Sequence, residues 1–188
     1  LTGFMNVESS DLLLFPDPTT LSVLPWRPST GRVVRFFCDI RYPDGAPFEG
    51  DGRHLLREAV AAAREKGLSC MLGTECEFYL FMQDENGQPT RIPHDHASYF
   101  DVAPLDHAEN VRRQICLTLE EMGIQPEASH HEQGPGQNEI DFKYSNALQA
   151  ADNMITFKWV VKTMAGSSGL FASFLPKPLP GEPGSGLH

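Results

Sequence analysis

What this chain lacks narrows what it can be. It has no excess of positive charge: 15 Lys and Arg stand against 25 Asp and Glu, a formal net charge of −10. Nonspecific nucleic-acid binding needs clustered cations facing phosphate, so that class is excluded. A nucleotide held through Mg²⁺ is not. No Gly-rich phosphate loop is present, and strand–helix alternation is not clean, which argues against a parallel βαβ architecture. No apolar run reaches membrane-spanning length and no signal peptide is visible, so no membrane partner is expected. The four cysteines, at 38, 70, 76 and 116, form no Cys-x-x-Cys pair. Buried thiols in a reduced, cytoplasmic setting are the better reading. There is no internal repeat and no long low-complexity tract.

What is present suits one globular domain. The chain has 188 residues, 40% hydrophobic and 21% charged, enough for a core and too apolar for disorder. Residues 3–30 read as loop, punctuated by Pro16, Pro18, Pro25 and Pro28. Val33 to Ile40 is an apolar run of strand length, and Pro43-Asp44-Gly45 signals a turn. Asp51 caps a predicted helix to about Lys66, with Leu55, Leu56, Ala59, Val60 and Ala63 inward and Gly67 as its stop. After the turn Asp84–Gly87, the segment to Asp101 reads as irregular. A second helix is predicted over about 105–122, its stripe being Ala108, Val111, Ile115, Leu119 and Met122. Glu139–Tyr144 alternates like a strand. A third helix follows over 147–165, with Leu148, Ala151, Ile155, Trp159 and Met164 as inward candidates, and a short strand covers Leu170–Leu175. The expected class is α+β, with an antiparallel or mixed sheet.

Chemistry concentrates in two segments. Met71 to Phe81 reads as a strand in which Glu75 and Glu77, two residues apart, share a face. Two acids on an otherwise apolar strand repel each other and are costly to desolvate, so a cation should compensate. By spacing alone such a pair is more often a solvated strand face. The second segment is His130 to Glu139, where Gly134-Pro135-Gly136 reverses the chain between Glu132 and Glu139. Four glutamates on neighbouring strand ends suit Mg²⁺ or Mn²⁺, and added imidazole suits Mn²⁺. The short-spaced Cys and His of a zinc site are missing. The pair His130-His131 points two ways on a strand, which favours a surface or core role for it. His94 and His96 are a weak alternative metal pair.

Glu75-x-Glu77-Phe-Tyr-Leu-Phe, Tyr99-Phe-Asp, His130-His131-Glu132 with Gly136-Gln-Asn-Glu139, Phe174-Leu-Pro-Lys-Pro and Gly184-Ser-Gly-Leu-His188 occur in the order found in glutamine synthetase. The N-terminal Asp11-Leu-Leu-Leu-Phe-Pro-Asp-Pro, Leu24-Pro-Trp26 and Pro43-Asp-Gly-Ala-Pro-Phe-Glu-Gly-Asp resemble the start of that family's catalytic domain and the stretch after it. The resemblance, closest to the bacterial type I enzymes, covers essentially the whole chain. It implies a curved, mostly antiparallel sheet carrying the active-site carboxylates, with helices on one face.

It also implies two divalent metal sites, for Mg²⁺ or Mn²⁺, between ATP and glutamate. Glu77, Glu132 and Glu139 match the ligands of the metal nearer glutamate. Glu75 and His188 match ligands of the metal that holds the ATP phosphates. Glu127 matches a nucleotide-contacting position, and Tyr144 an aromatic near adenine. Tyr99 and Glu132 match the ammonium pocket, while Glu77 and Gly184 fall on the glutamate side. The implied reaction attacks the γ-phosphate of ATP with glutamate to give γ-glutamyl phosphate, which ammonia converts to glutamine. The implied parent is a homo-oligomer, a double-ring dodecamer.

Against that family, residues 1–188 read as a partial catalytic domain without the N-terminal β-grasp domain. The second His after His188, the substrate arginines, the last metal-binding Glu and the flap Glu are likewise not among the 188 residues. Pro183 stands where the family usually has Asn, Gln133-Gly134 where Val-Ala is usual, and Cys76 where Pro is frequent. A ligase using another amine, or a non-catalytic structural or regulatory relative, are the alternative readings. The expectation is that the purified 188-residue chain forms no glutamine from glutamate, ATP and ammonia. Measurable product in a coupled phosphate assay would contradict it.

Overall fold

The computed structural model describes residues 11–188, so the loop reading of residues 3–10 lies outside the described residues. The chain forms two compact units, one of residues up to Met71 with Asn146–Asp152, the other of Leu72–Ser145 with Asn153–His188. In the first, β1 (Leu13–Pro16) pairs antiparallel with β4 (Cys38–Arg41), and β2 (Ser22–Val23) with β3 (Val34–Arg35). The expected loop over residues 11–30 therefore contains two strands and two short 3₁₀ turns. The expected single strand over Val33–Ile40 is split between β3 and β4. The split has a visible cause. The Phe37 N–H donates to the Thr20 hydroxyl at 2.8 Å, and its carbonyl accepts from Asp17 N at 2.8 Å, so its backbone serves the Asp17–Thr20 turn.

The helix α1 (Gly52–Glu65) begins where expected, because Asp51 Oδ1 accepts from Arg53 N at 3.0 Å. Its predicted inward face is at best half-buried: Leu55 and Ala59 are exposed, and no residue of α1 is fully buried. Arg53 supplies the attachment instead. Its guanidinium donates to Asp39 at 2.8 Å, to Asp17 at 3.1 Å, and with two nitrogens to Asp152 at 3.0 and 2.8 Å. Arg57 pairs with the same Asp17 and Asp39. The fork geometry of arginine allows one side chain to join three carboxylates.

The second unit is built on a five-stranded sheet of order β6-β5-β8-β7, with β9 (Leu170–Ser173) also pairing with β5. β5 (Met71–Gln83) is the long central strand. β6 (Pro89–Pro93) returns from the Asp84–Gly87 turn as an antiparallel hairpin partner, so that segment is not irregular throughout. Its two prolines hid it, although proline is compatible with an edge strand. β7 (Pro126–His131) and β8 (Gln137–Asn146) form a hairpin in which His130 faces Glu139 and His131 faces Asn138. Gly73 lies beside Tyr144, and Leu80 N donates to Gly136 O at 2.8 Å, so β8 runs opposite to β5.

Helix α2 (Glu109–Glu121) starts later than expected, after a turn, but Ala108, Val111, Ile115 and Leu119 are buried as its stripe requires. Helix α3 (Ala147–Ser167) corrects the predicted face. Ala151, Ile155 and Trp159 are exposed, while Met154, Phe157, Val160, Val161 and Met164 are buried. The helix is apolar nearly all round, so periodicity alone could not choose a side. Phe157 decides it, packing on Phe78 of β5, Phe142 of β8 and Phe174, with ring centroids 5.5–6.1 Å apart. All four cysteines are free thiols, but only Cys76 is fully buried and Cys70 is exposed, against the expectation of buried thiols. Among the described residues no helix is long and apolar enough to cross a membrane.

Replacing Arg53 by Met should lower the unfolding free energy by about 3 kcal/mol, because it leaves charged partners in place around a lost guanidinium. Leu55→Ala, on the exposed side of α1, should change it by less than about 0.5 kcal/mol. Urea unfolding of the three proteins checks both values.

Candidate metal centre

The sheet has a dry face and an acidic one. Along β5, Cys76, Phe78 and Leu80 are buried toward α3, and Glu75, Glu77 and Tyr79 alternate to the other side. Along β8, Ile140 and Phe142 are buried, and Gln137, Glu139 and Asp141 share the opposite face. Because β5 and β8 are neighbours, the two acidic rows meet. The β7–β8 hairpin adds Glu132 and His130 from its other arm.

Two groups of possible ligand atoms result, each within 4.8 Å: Glu75, Glu139 and His188, and His130, Glu132 and Glu139. Glu139 belongs to both. His130 Nε2 lies 3.0 Å from Glu132 Oε1 and 3.4 Å from Glu139 Oε2. Phe100 stacks on its imidazole at 4.5 Å and Tyr99 meets it edge-on at 5.8 Å. His188 reaches Glu75 because the chain end pairs with β5: Leu187 bridges Cys76, and His188 N donates to Glu75 O at 3.0 Å. His188 Nδ1 is then 3.7 Å from Glu75 Oε2.

Glu77 is placed differently from the expected three-glutamate set. Its Oε2 accepts from Gln137 Nε2 at 2.5 Å, and it lies in neither group. Gln137 also donates to Gly184 O at 3.0 Å, so it ties Glu77 to the Gly184 loop. A Cβ on Gly186 would stand 2.9 Å from Glu77 Oε1 and 2.8 Å from the His188 ring, so a side chain there would displace one of them. The unusual Pro183 has its carbonyl held by the Tyr79 hydroxyl at 2.6 Å. Tyr99 and Tyr144 are more than half exposed, and Glu127 is exposed on β7. His94 faces His107, and among the described residues neither it nor His96 joins a group of possible ligands.

Sequence reasoning missed Asp141, Gln137 and Asp95. Asp141 is the next i+2 position after Glu139, so the strand period pointed to it. Gln137 sits two residues before Glu139 on the same period. Nothing local marks Asp95, which meets His131 across 36 residues. His131 turns away from His130 into the core, where it and Asp95 are wholly inaccessible. Its Nε2 lies 2.8 Å from Asp95 Oδ1 and its Nδ1 2.6 Å from Glu132 O. Both partners are acceptors, so the ring donates from both nitrogens. Burial is the largest single influence on Asp95 and would push it up, but the hydrogen bond and charge of His131 together with the N–H groups of His107 and Gly136 hold the carboxyl at about 2. Burial would lower His131, and its bonds to Asp95 and to the Glu132 carbonyl, with the charges of Asp95 and Asp106, leave it raised instead.

A divalent cation fits these residues on the evidence of their own electrostatics. Burial, with Glu132 and Asp141 adjacent, pushes Glu139 up to about 8. Burial likewise raises Asp141, whose Oδ1 is inaccessible and has no hydrogen-bond partner. Carboxylates that cannot all ionise together without a countercharge are a suitable oxygen donor set for a hard cation, with imidazole at its edges.

A pH dependence follows. Glu139 has a folded value of about 8 against 4.5 for the free side chain. The folded state therefore holds a proton that the unfolded state releases between those values. The stabilising contribution of this group is full below about 4.5 and is lost as pH rises through about 8. Without added divalent ions, urea midpoints should fall from pH 5 to 8.5, and Glu139→Gln should flatten that fall. Saturating Mn²⁺ should reverse it. A Glu139→Gln profile parallel to the unsubstituted one would contradict the assignment.

Comparisons with known proteins agree with this geometry. Residues 49–188 match the family model described as "Glutamine synthetase, catalytic domain", and residues 1–43 that described as "Glutamine synthetase, beta-Grasp domain". The second match covers the stretch read from sequence as the start of the catalytic domain, and it disagrees with the expectation that the β-grasp domain is wholly missing. The chain is 54% identical over 188 residues to a glutamine synthetase of Clostridium saccharobutylicum, covering all of this chain and 42% of that protein. It therefore spans less than half the length of such relatives. A Plasmodium falciparum glutamine synthetase structure superposes at a TM-score of 0.85 with 25% identity, over 100% of this chain and 42% of that one. A GmaS/ADP complex superposes at 0.84 with 34% identity, over 96% of this chain and 41% of that one. With the catalytic-domain match over most of its length and its carboxylates gathered on one sheet face, the chain belongs to the glutamine synthetase family.

Proposed function

We propose that this chain carries the metal-holding part of an ATP-dependent ligase that joins glutamate to ammonia, and that the protein it belongs to makes glutamine. The observation that carries the reading is the convergence of Glu75, His188, Glu132 and His130 on the shared Glu139. Glu75 and His188 would hold a Mg²⁺ or Mn²⁺ ion on the nucleotide side. Glu132 and Glu139, with Glu77 beside them, would hold the second on the glutamate side. When bound, such ions neutralise phosphate charge and polarise the transferred phosphoryl group.

The remaining roles belong to the chain itself. Glu132, on a tight reversal and 3.0 Å from the His130 ring that Tyr99 meets edge-on, offers an anionic oxygen to an ammonium ion and can accept its proton. Glu127 and Tyr144 are exposed and free to meet a nucleotide. ADP in the similar GmaS complex supports that half of the reading. The Gln137 side chain fixes Gly184 O against Glu77, which suits a loop that meets the glutamate amino-acid group. Residues 1–43 are assigned to the β-grasp domain and 49–188 to the catalytic domain. The protein is assigned to the cytoplasm, as a homo-oligomer of the double-ring dodecamer type.

Titration calorimetry tests the site. Mn²⁺ should bind the unsubstituted chain, and the Glu75→Ala/Glu132→Ala double variant should lose at least about tenfold in affinity, ~1.4 kcal/mol. Unchanged affinity in the double variant would overturn the assignment.

A further inference from the structure

We infer that Asp95 and His131 are positioning residues for the cation site, setting its affinity from the far side of the sheet through the backbone of the β7–β8 turn; this rests on the metal reading above. Glu132 and Glu139 flank a reversal, so their carboxylates converge only if that reversal keeps one shape. Asp95 grips it from both ends. Its Oδ1 accepts from His131 Nε2 at 2.8 Å, before the turn, and from Gly136 N at 3.0 Å, inside it. Its Oδ2 accepts from His107 N at 3.1 Å, which anchors Asp95 itself. His131 in turn holds the carbonyl of Glu132 through Nδ1.

The turn has little slack left. Glu132 N donates to Gln137 O at 2.8 Å, and Gln137 N to Gly134 O at 2.9 Å. Gly136 adopts φ +67°, and a Cβ there would lie 2.7 Å from Leu80 O, so the close approach to β5 requires glycine. Asp95 and His131 belong to neither group of candidate ligands and are wholly buried. Their influence must pass through the peptide of Glu132 and the N–H of Gly136. His131 bonds the backbone of Glu132 and Asp95 bonds His131, and outer partners that orient ligands typically change metal affinity by about 10–100-fold when lost.

Asp95→Asn keeps the volume of the side chain and removes its charge. In the 188-residue chain it should weaken Mn²⁺ binding about 10–100-fold by calorimetry, at a temperature where circular dichroism shows the variant folded. A merely structural role would lower the melting temperature and leave the affinity of the folded variant unchanged. That result would overturn the inference. Glu132→Gln serves as the control: if it too leaves Mn²⁺ affinity unchanged, the metal reading falls with the inference. A second measurement needs no Asp95 variant. The ring N–H resonances of His131, followed by ¹⁵N NMR in the unsubstituted chain, should shift as Mg²⁺ saturates and stay fixed in Glu132→Gln. No shift in the unsubstituted chain under saturating Mg²⁺ would overturn the inference.

Discussion

Repulsion among carboxylates that share one face of a sheet is the constraint on which the site depends. Glu139 and Asp141 on β8 and Glu132 at the turn lie where water cannot fully screen them, and the exposed Glu75 on β5 adjoins them at Glu139. A fold does not place such groups together without something to hold them and something to neutralise them. The holding is done by strand register. Pairing of β7 with β8 sets His130 opposite Glu139, and pairing of the chain end with β5 sets His188 beside Glu75. A slip of one residue would turn each of these side chains into the core.

The opposite face of the same strands supplies the rigidity. Phe78, Phe142, Phe157 and Phe174 lock α3 against the sheet, so the acidic face is carried on a packed platform. The His130-His131 dipeptide couples the two faces. One imidazole meets the carboxylates, and the other is buried with Asp95 and holds the peptide between them. Consecutive residues of a strand point opposite ways, so the two histidines have separate tasks despite being neighbours.

Much of this was legible in the sequence because it rests on short periods. The i, i+2 spacing of Glu75 and Glu77 announced a shared face, and the stripe Ala108, Val111, Ile115 and Leu119 announced α2 correctly. Where periodicity was ambiguous, reading failed. In α3 apolar residues occur all round, and the choice of face was made by aromatic partners on β5 and β8. β6 was hidden by its prolines, β1 by Pro16, and β2, which is only Ser22–Val23, by its shortness. The attachment of α1 through Arg53 was invisible because its three aspartates lie at 17, 39 and 152. Asp95 was missed for the same reason. Glu77 shares the face its spacing requires, while its bond to Gln137, 60 residues away in sequence, had no local signal.

On this reading the acidic face is a cation site with Glu139 as its shared member. Anomalous diffraction at the manganese edge, from crystals of the chain grown with Mn²⁺, tests it most directly. A peak is expected about 2.1–2.3 Å from a Glu139 carboxylate oxygen, with Glu132 or Glu75 and His188 completing the contacts. Mn²⁺ peaks only elsewhere on the protein, with Glu132 and Glu139 unligated, would contradict it.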